Sequence, residues 1–307
     1  MSDARRRFLG DIQGISEAVS LDPIAAGAMA AAPPQGIVIL RRGILIASLI
    51  AYETFIRERT TELLADLGRW PARFQDLPQR LRDAALLNAL SHLQRFATVL
   101  KRQQENYEAE IIAQLEKMAA NRGPEFAFTK FISGDHTGNI SDQAVKDLLK
   151  TFQVEDCWGS FRSLSSDIGF GVPSVQQILI DVVGKRHRSA HSAGFVPAAS
   201  DIAELPRDLL CLGICFDAAM TGSVTNALNS WRSWSDGTAN WRNALDIYLV
   251  DAQRGRFRIT KPGGARAVAL INLPTEAAAR LPPRPPGKRA LLVHRDGSNL
   301  PREWTIV

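Results

Sequence analysis

At about Leu245 the hydrophobic pattern of this chain changes period. Before that point apolar residues return every third or fourth position, the spacing of one helical face. After it they come in short runs broken by Gly, Pro and Asp, the pattern of strands and turns. One element cannot satisfy both periods, so the chain reads as a helical domain followed by a small β module. The divisions are residues 1–35 as an N-terminal helix and linker, 36–244 as the helical domain and 245–307 as the β module. The expected class is mainly α with a small C-terminal all-β module.

Within the helical region, residues 3–19 suit a short amphipathic helix, and Ala25 to Pro34 reads as a linker. From about Gly36 to Leu67 the stripe Leu45, Leu49, Tyr52, Phe55 and Ile56 predicts a helix stopped by Gly68 and Pro71. Pro78 to Arg122 is the longest helical pattern, with Leu86, Leu90, Leu93, Ala97 and Leu100 as its apolar face and a polar stretch from Lys101 to Glu110. Gly134 to Asn139 reads as a turn, and Ser141 caps a helix reaching Phe152. Pro173 suits the first turn of a helix whose buried face is Val175, Ile178, Leu179, Val182 and Val183. That helix runs into Arg186-His187-Arg188-Ser189-Ala190-His191 and stops near Gly194. Asp201 and Glu204 open the next, which continues toward Trp231.

Strands are expected at 247–250, 257–259, 267–271, 291–293 and 304–307. Leu281 to Gly287 is too rich in proline for regular structure. The net charge of +5 belongs to this end of the chain: residues 245–307 hold 11 Lys/Arg against 5 Asp/Glu. A basic module beside a neutral one suits a polyanion, although a solvated basic surface reads the same way.

Three cysteines, Cys157, Cys211 and Cys215, are too few and too scattered for a secreted disulfide framework, and they suggest a reducing compartment. No signal-peptide core follows Met1. Ile37 to Ile50 is broken by Arg41 and Arg42, and Leu209 to Gly222 is short and contains Asp217. Neither matches the roughly 20 apolar residues of a membrane helix. The expectation is a cytoplasmic protein without a membrane span.

Arg186 and His191 are separated by four intervening residues at the end of an apolar helix pattern. Cleaving RNA requires removing the 2′-OH proton, protonating the 5′-oxygen and stabilising charge on phosphorus. A histidine titrating near neutrality moves protons, and arginine offers a permanent charge with a planar donor fork. Because RNA supplies its own nucleophile, neither a metal nor a cofactor is needed.

The segment resembles the R-x4–6-H signature of HEPN-superfamily ribonucleases, with His187 as the polar residue after the Arg and Ala190 before the His. The surroundings are similar too. An apolar helix precedes the motif, a glycine-containing turn and an acid-capped helix follow it, and Asn139-Ile140-Ser141 leads a short helix upstream. Tyr52-Glu53-Thr54-Phe55 looks like the family's opening helix. The arrangement is most similar to the RiboL-PSP branch and covers roughly residues 36–230. It implies a HEPN-type helical bundle and a metal-independent endoribonuclease, acting as a toxin or in anti-phage defence and leaving a 2′,3′-cyclic phosphate. It implies a homodimer with two motifs facing one cleft, and an antitoxin or defence-system partner. By position Arg186 binds phosphate, His191 is the general acid/base, His187 assists and Glu53 orients. Ala193 stands where some members carry a modified Tyr. A non-catalytic RNA-binding or scaffold protein with the same fold is the alternative. A solvated basic helix end would also look like this, since cations complement the helix dipole.

Two other constellations compete. His187 and His191, with Cys211 and Cys215, could supply four zinc ligands, though thiols among Leu209, Leu210 and Leu212 suit a core. Trp231, Trp234 and Trp241 could stack bases but better suit packing between domains.

Overall fold

The computed structural model describes residues 2–26, 33–69, 73–123, 126–134, 140–253 and 255–307. Most of the linker at 25–34, together with Pro71, Pro124, the turn at 135–139 with Asn139, and Arg254, lies outside the described residues. The chain is mainly helical with a small C-terminal mixed sheet. Its helices are α1 (Asp3–Ala26), α2 (Gln35–Gly68), α3 (Gln79–Asp83), α4 (Ala89–Arg102), α5 (Tyr107–Ala120), α6 (Asp142–Thr151), α7 (Cys157–Ile168), α8 (Val175–His191), α9 (Ala199–Ala203), α10 (Leu205–Asn229) and α11 (Trp231–Ser235).

α10 is apolar all round and runs through the middle of the fold. Residues 208–225 bury Leu209, Cys211, Leu212, Ile214, Cys215, Phe216 and Met220. A helix of this kind has to be enclosed by others, and α1, α2, α7 and α8 pack around it. α1 is longer than the expected 3–19 and is part of the core. Phe8 is buried and stacks on Phe55 of α2, with ring centroids 4.4 Å apart. Gly213 makes this approach possible, because a Cβ there would stand 2.4 Å from a Phe8 ring carbon.

By length and mean hydropathy two segments do pass as membrane spans, Gln35–Gly68 at 1.5 and Ala199–Asn229 at 1.3. This corrects the reading that no stretch is long enough, which treated Arg41–Arg42 and Asp217 as interruptions. In the fold 94% of the second segment's apolar window is buried, and half of the first's. The interrupting charges are paired: Arg41 with Asp22 at 2.7 Å, and Asp217 with Arg5 and Arg59 at 2.7 and 2.6 Å.

The long helical pattern from Pro78 to Arg122 is not one helix. Ala84–Asn88 is a π-helical turn, which inserts extra chain and shifts the phase of the helix beyond it. The buried stripe therefore passes from Leu81 and Ala85 to Ala89, Leu93, Ala97 and Leu100, leaving Leu90 exposed. Gln104 then takes a left-handed φ of 60°, and the Asn106 side chain accepts from Ala109 N to start α5. α4 and α5 fold back as a hairpin around a separate small core of Ala89, Leu93 and Phe131. As expected, Ser141 caps α6 by accepting from Ala144 N. At α8 the cap is Ser174, which accepts from Gln177 N, and Pro173 lies outside the helix.

The strands are β1 (Leu245–Gln253), β2 (Arg256–Thr260), β3 (Ala269–Ile271), β4 (Arg289–Arg295) and β5 (Pro301–Ile306), in the order β3-β2-β1-β4-β5. β1 and β4 pair in parallel, in register Leu249↔Val293; β5 lies antiparallel to β4 with Val293 opposite Trp304. Side chains alternate across a sheet, and here both faces are used. Leu249, Leu291, Val293, Trp304 and Ile306 join the helical core. Tyr248, Val250, Ile259, Ile271 and Leu292 form a second cluster under the turn at Pro274–Arg280. The sheet is thus a wall of the main core, and the helical region cannot shed it without exposing Trp304's binding site.

Candidate functional site

α8 presents the motif in its last two turns. Its buried stripe runs Val175, Leu179, Val182 and then Ser189, with Arg186 half-buried on the same line. His187, Arg188, Ala190 and His191 are exposed. At about 100° per residue, Arg186 and His191 project about 140° apart around the helix. The structure therefore brings His187 and His191 together, with ring centroids 4.8 Å apart and planes tilted by 49°, and sets Arg186 on the inner side of that pair. Arg186 Nε and Ser189 Oγ are buried and have no hydrogen-bond partner among the described residues. Glu53 is buried on α2 and its carboxylate accepts from Ile140 N at 2.6 Å, so it anchors the entry to α6.

Two residues treated in the sequence as mere interruptions hold this helix end in place. Arg42 donates to the carbonyls of Ser192, Ala193 and Phe195, directly after the motif. Arg41 donates to Pro197 O at 3.0 Å while its other nitrogens grip Asp22. These are carbonyls of the loop beyond the helix, and a cation held beside a helix C-terminus also offsets the negative end of the helix dipole. A pair of adjacent arginines inside an apolar run was the available signal, because such charges have to be paired if buried. Arg188 lies over the Phe195 ring at 4.5 Å, and Lys185 pairs with Asp201 at 3.2 Å. Behind α8, Asp208 on α10 was not singled out from sequence; burial pushes its carboxyl up to about 6, the negative charge of Glu204 adds to this and Lys185 partly opposes it.

The outcome is a cation-rich helix end carrying two neighbouring imidazoles. Such a group can contact phosphate through Arg188 and can exchange protons through His187 and His191. The zinc constellation is not assembled. Cys211 and Cys215 are buried in the core, with the Cys215 thiol directed at Phe161 O at 3.7 Å, whereas His187 and His191 face solvent. Among the described residues no three His, Cys, Asp or Glu side chains converge as a metal site. The tryptophans pack: Trp234 is buried and donates to Ser223 Oγ at 2.8 Å, and Trp241 is buried with its carbonyl against Gly222.

Comparison of the chain with models of protein families, with curated proteins and with solved structures found no match.

Proposed function

We propose that the chain is a metal-independent endoribonuclease of HEPN type, acting in the cytoplasm as a toxin or in anti-phage defence. The observation that carries this reading is the His187–His191 pair at a cationic helix end. The pair supplies what transesterification of RNA needs. One imidazole takes the 2′-OH proton as that oxygen attacks phosphorus. The P–O5′ bond breaks, O5′ takes a proton from an imidazolium, and a 2′,3′-cyclic phosphate remains. His191 is the principal proton carrier and His187 its auxiliary. Arg186 contributes charge from the inner side, half-buried on the face of α8 that meets the core. One copy offers few converging groups, so the reading includes a two-fold homodimer with the two helix ends adjacent.

A second reading is favoured by one observation, the divergence of Arg186 and His191 around α8. A non-catalytic RNA-binding protein needs the cations but no convergence. Cleavage of RNA in EDTA by the wild type and by His191→Ala separates the two. The enzyme reading expects cyclic-phosphate products, abolished by 2′-deoxy substitution at the scissile position and reduced about 10²–10⁴-fold by His191→Ala. Binding without cleavage, or cleavage unchanged in His191→Ala, would overturn it.

A further inference from the structure

Arg188 is exposed in the last turn of α8, and its guanidinium lies over the Phe195 ring at 4.5 Å from the centroid. Among the described residues no carboxylate pairs with it. An exposed arginine ordinarily samples many rotamers, and holding one in place costs side-chain entropy. Here the support is itself fixed. Phe195 is half-buried against the main core. Its N–H donates to Ser192 O at 3.1 Å, and its carbonyl receives Arg42 Nε at 2.9 Å. Arg42 thus places the ring, and the ring places the guanidinium.

A carboxylate would have taken the donors of this guanidinium and cancelled its charge. A ring takes neither. What is left for a ligand is a full positive charge, a donor fork, and the flat side turned away from Phe195. Arg188 and His191 stand about 60° apart around α8 and are both exposed, whereas Arg186 is turned inward. An anion reached by His191 therefore lies beside the Arg188 fork. A ligand that uses both the charge and the flat side carries an anionic group next to a planar ring. A nucleotide unit has that form, a phosphate beside a base.

We infer that Arg188, backed by Phe195, determines which RNA this helix end accepts. An unpaired base beside the phosphate at His191 stacks on the guanidinium, so the substrate is single-stranded or looped RNA. The choice of RNA rests on the ribonuclease reading. Bases inside a duplex are stacked on one another and cannot be splayed onto such a platform. Every base has a π face, so the platform selects unpaired nucleotides without selecting their sequence. A guanidinium that only seats the helix end against its dipole would need the charge and not the plane.

The test is fluorescence anisotropy with the full chain in EDTA. The probes are a short 2′-O-methyl oligonucleotide, which lacks the attacking hydroxyl, the same strand with abasic positions, its duplex, and AMP. The wild type should bind the intact single strand more tightly than the other three. Arg188→Lys keeps the charge and loses the plane. It should weaken binding of the intact strand about fivefold to a hundredfold, leave the abasic strand nearly unchanged, and keep the salt slope. Phe195→Leu keeps apolar bulk and should act in the same direction. Equal wild-type affinity for intact and abasic strands, preference for the duplex, or AMP binding as tightly as the strand would each overturn the inference. So would an Arg188→Lys variant that binds the intact strand as the wild type does, or that weakens both strands alike. Cleavage of an unmodified strand is scored separately. If the wild type cuts nothing, the ribonuclease reading falls and the binding result stands; if it cuts while Arg188→Lys binds normally, the platform falls and the ribonuclease reading stands.

Discussion

Asp217→Asn tests how the helices and the sheet are joined. The Asp217 carboxylate is fully buried and receives Arg5 Nε at 2.7 Å from α1, Arg59 Nε at 2.6 Å from α2, Trp304 Nε1 at 2.7 Å from β5 and Thr221 Oγ1 at 3.0 Å from its own helix. Burial by itself would push this carboxyl up, but the guanidiniums of Arg59 and Arg5 outweigh it and hold the group well below the usual carboxylate range. Asparagine removes the charge and turns an NH₂ toward groups that are all donors. Arg59 keeps Glu62 at 2.8 Å, whereas Arg5, 1% exposed, is left as a buried charge with no anion. Breaking a buried pair in this way costs about 3–5 kcal/mol, against a total stability of about 5–15 kcal/mol. The depressed pKa also fixes the sign with pH. A depressed carboxyl contributes above its unfolded pKa of about 3.9 and loses that contribution as pH falls toward its folded value. Urea denaturation at pH 7 should show the loss, and between pH 4 and lower values the variant should have the shallower acid slope. Amide exchange should loosen α1 and β5 together. A loss under about 1 kcal/mol, or identical acid slopes, would refute the reasoning.

Three other outcomes are expected. Gly213→Ala should destabilise by about 1–3 kcal/mol, because the new methyl meets a Phe8 ring pinned on Phe55; thermal unfolding measures it. Asp208→Asn should stabilise at pH 8 by about 1–2 kcal/mol and change nothing below the unfolded pKa, since a carboxyl raised to about 6 disfavours the fold only once ionised; urea midpoints at pH 4 and 8 check the sign. Deleting 245–307 should leave an aggregating or molten product by circular dichroism and size exclusion, because it uncovers the core under Trp304 and orphans Asp217; a monomeric, cooperatively melting 1–244 fragment would contradict this.

The range of each interaction decides whether the sequence discloses it. α2, α6, α8 and the five strands were legible because each carries its own period or cap, as with Ser141 before α6. α7 was passed over although Cys157, Phe161, Leu164 and Ile168 keep helical spacing, because serines and a glycine fill the rest of it. The turn inside 78–122 depended on one left-handed residue, Gln104, within a polar stretch that could equally have stayed helical. The phase slip at Ala84–Asn88 depended on a π turn that no residue announces. The joint at Asp217 links residues 158 and 212 positions away, and no local pattern encodes such a partnership. At the candidate site the motif's place at a helix end was legible. The outward pairing of His187 with His191 comes from helical phase, while Arg42's grip on the loop after the motif required the tertiary fold.

The hairpin of α4 and α5 packs with Phe131 in a small core apart from the main one, and its turn at Gln103–Asn106 is exposed. A segment whose apolar groups are satisfied in a separate cluster transmits little strain to the main core. Foreign sequence spliced into that turn, such as a fluorescent protein or an affinity tag, would load the hairpin alone. The chain therefore carries a permissive insertion point between residues 103 and 106, from which it can be labelled or tethered without disturbing α8, β5 or the buried charges between them.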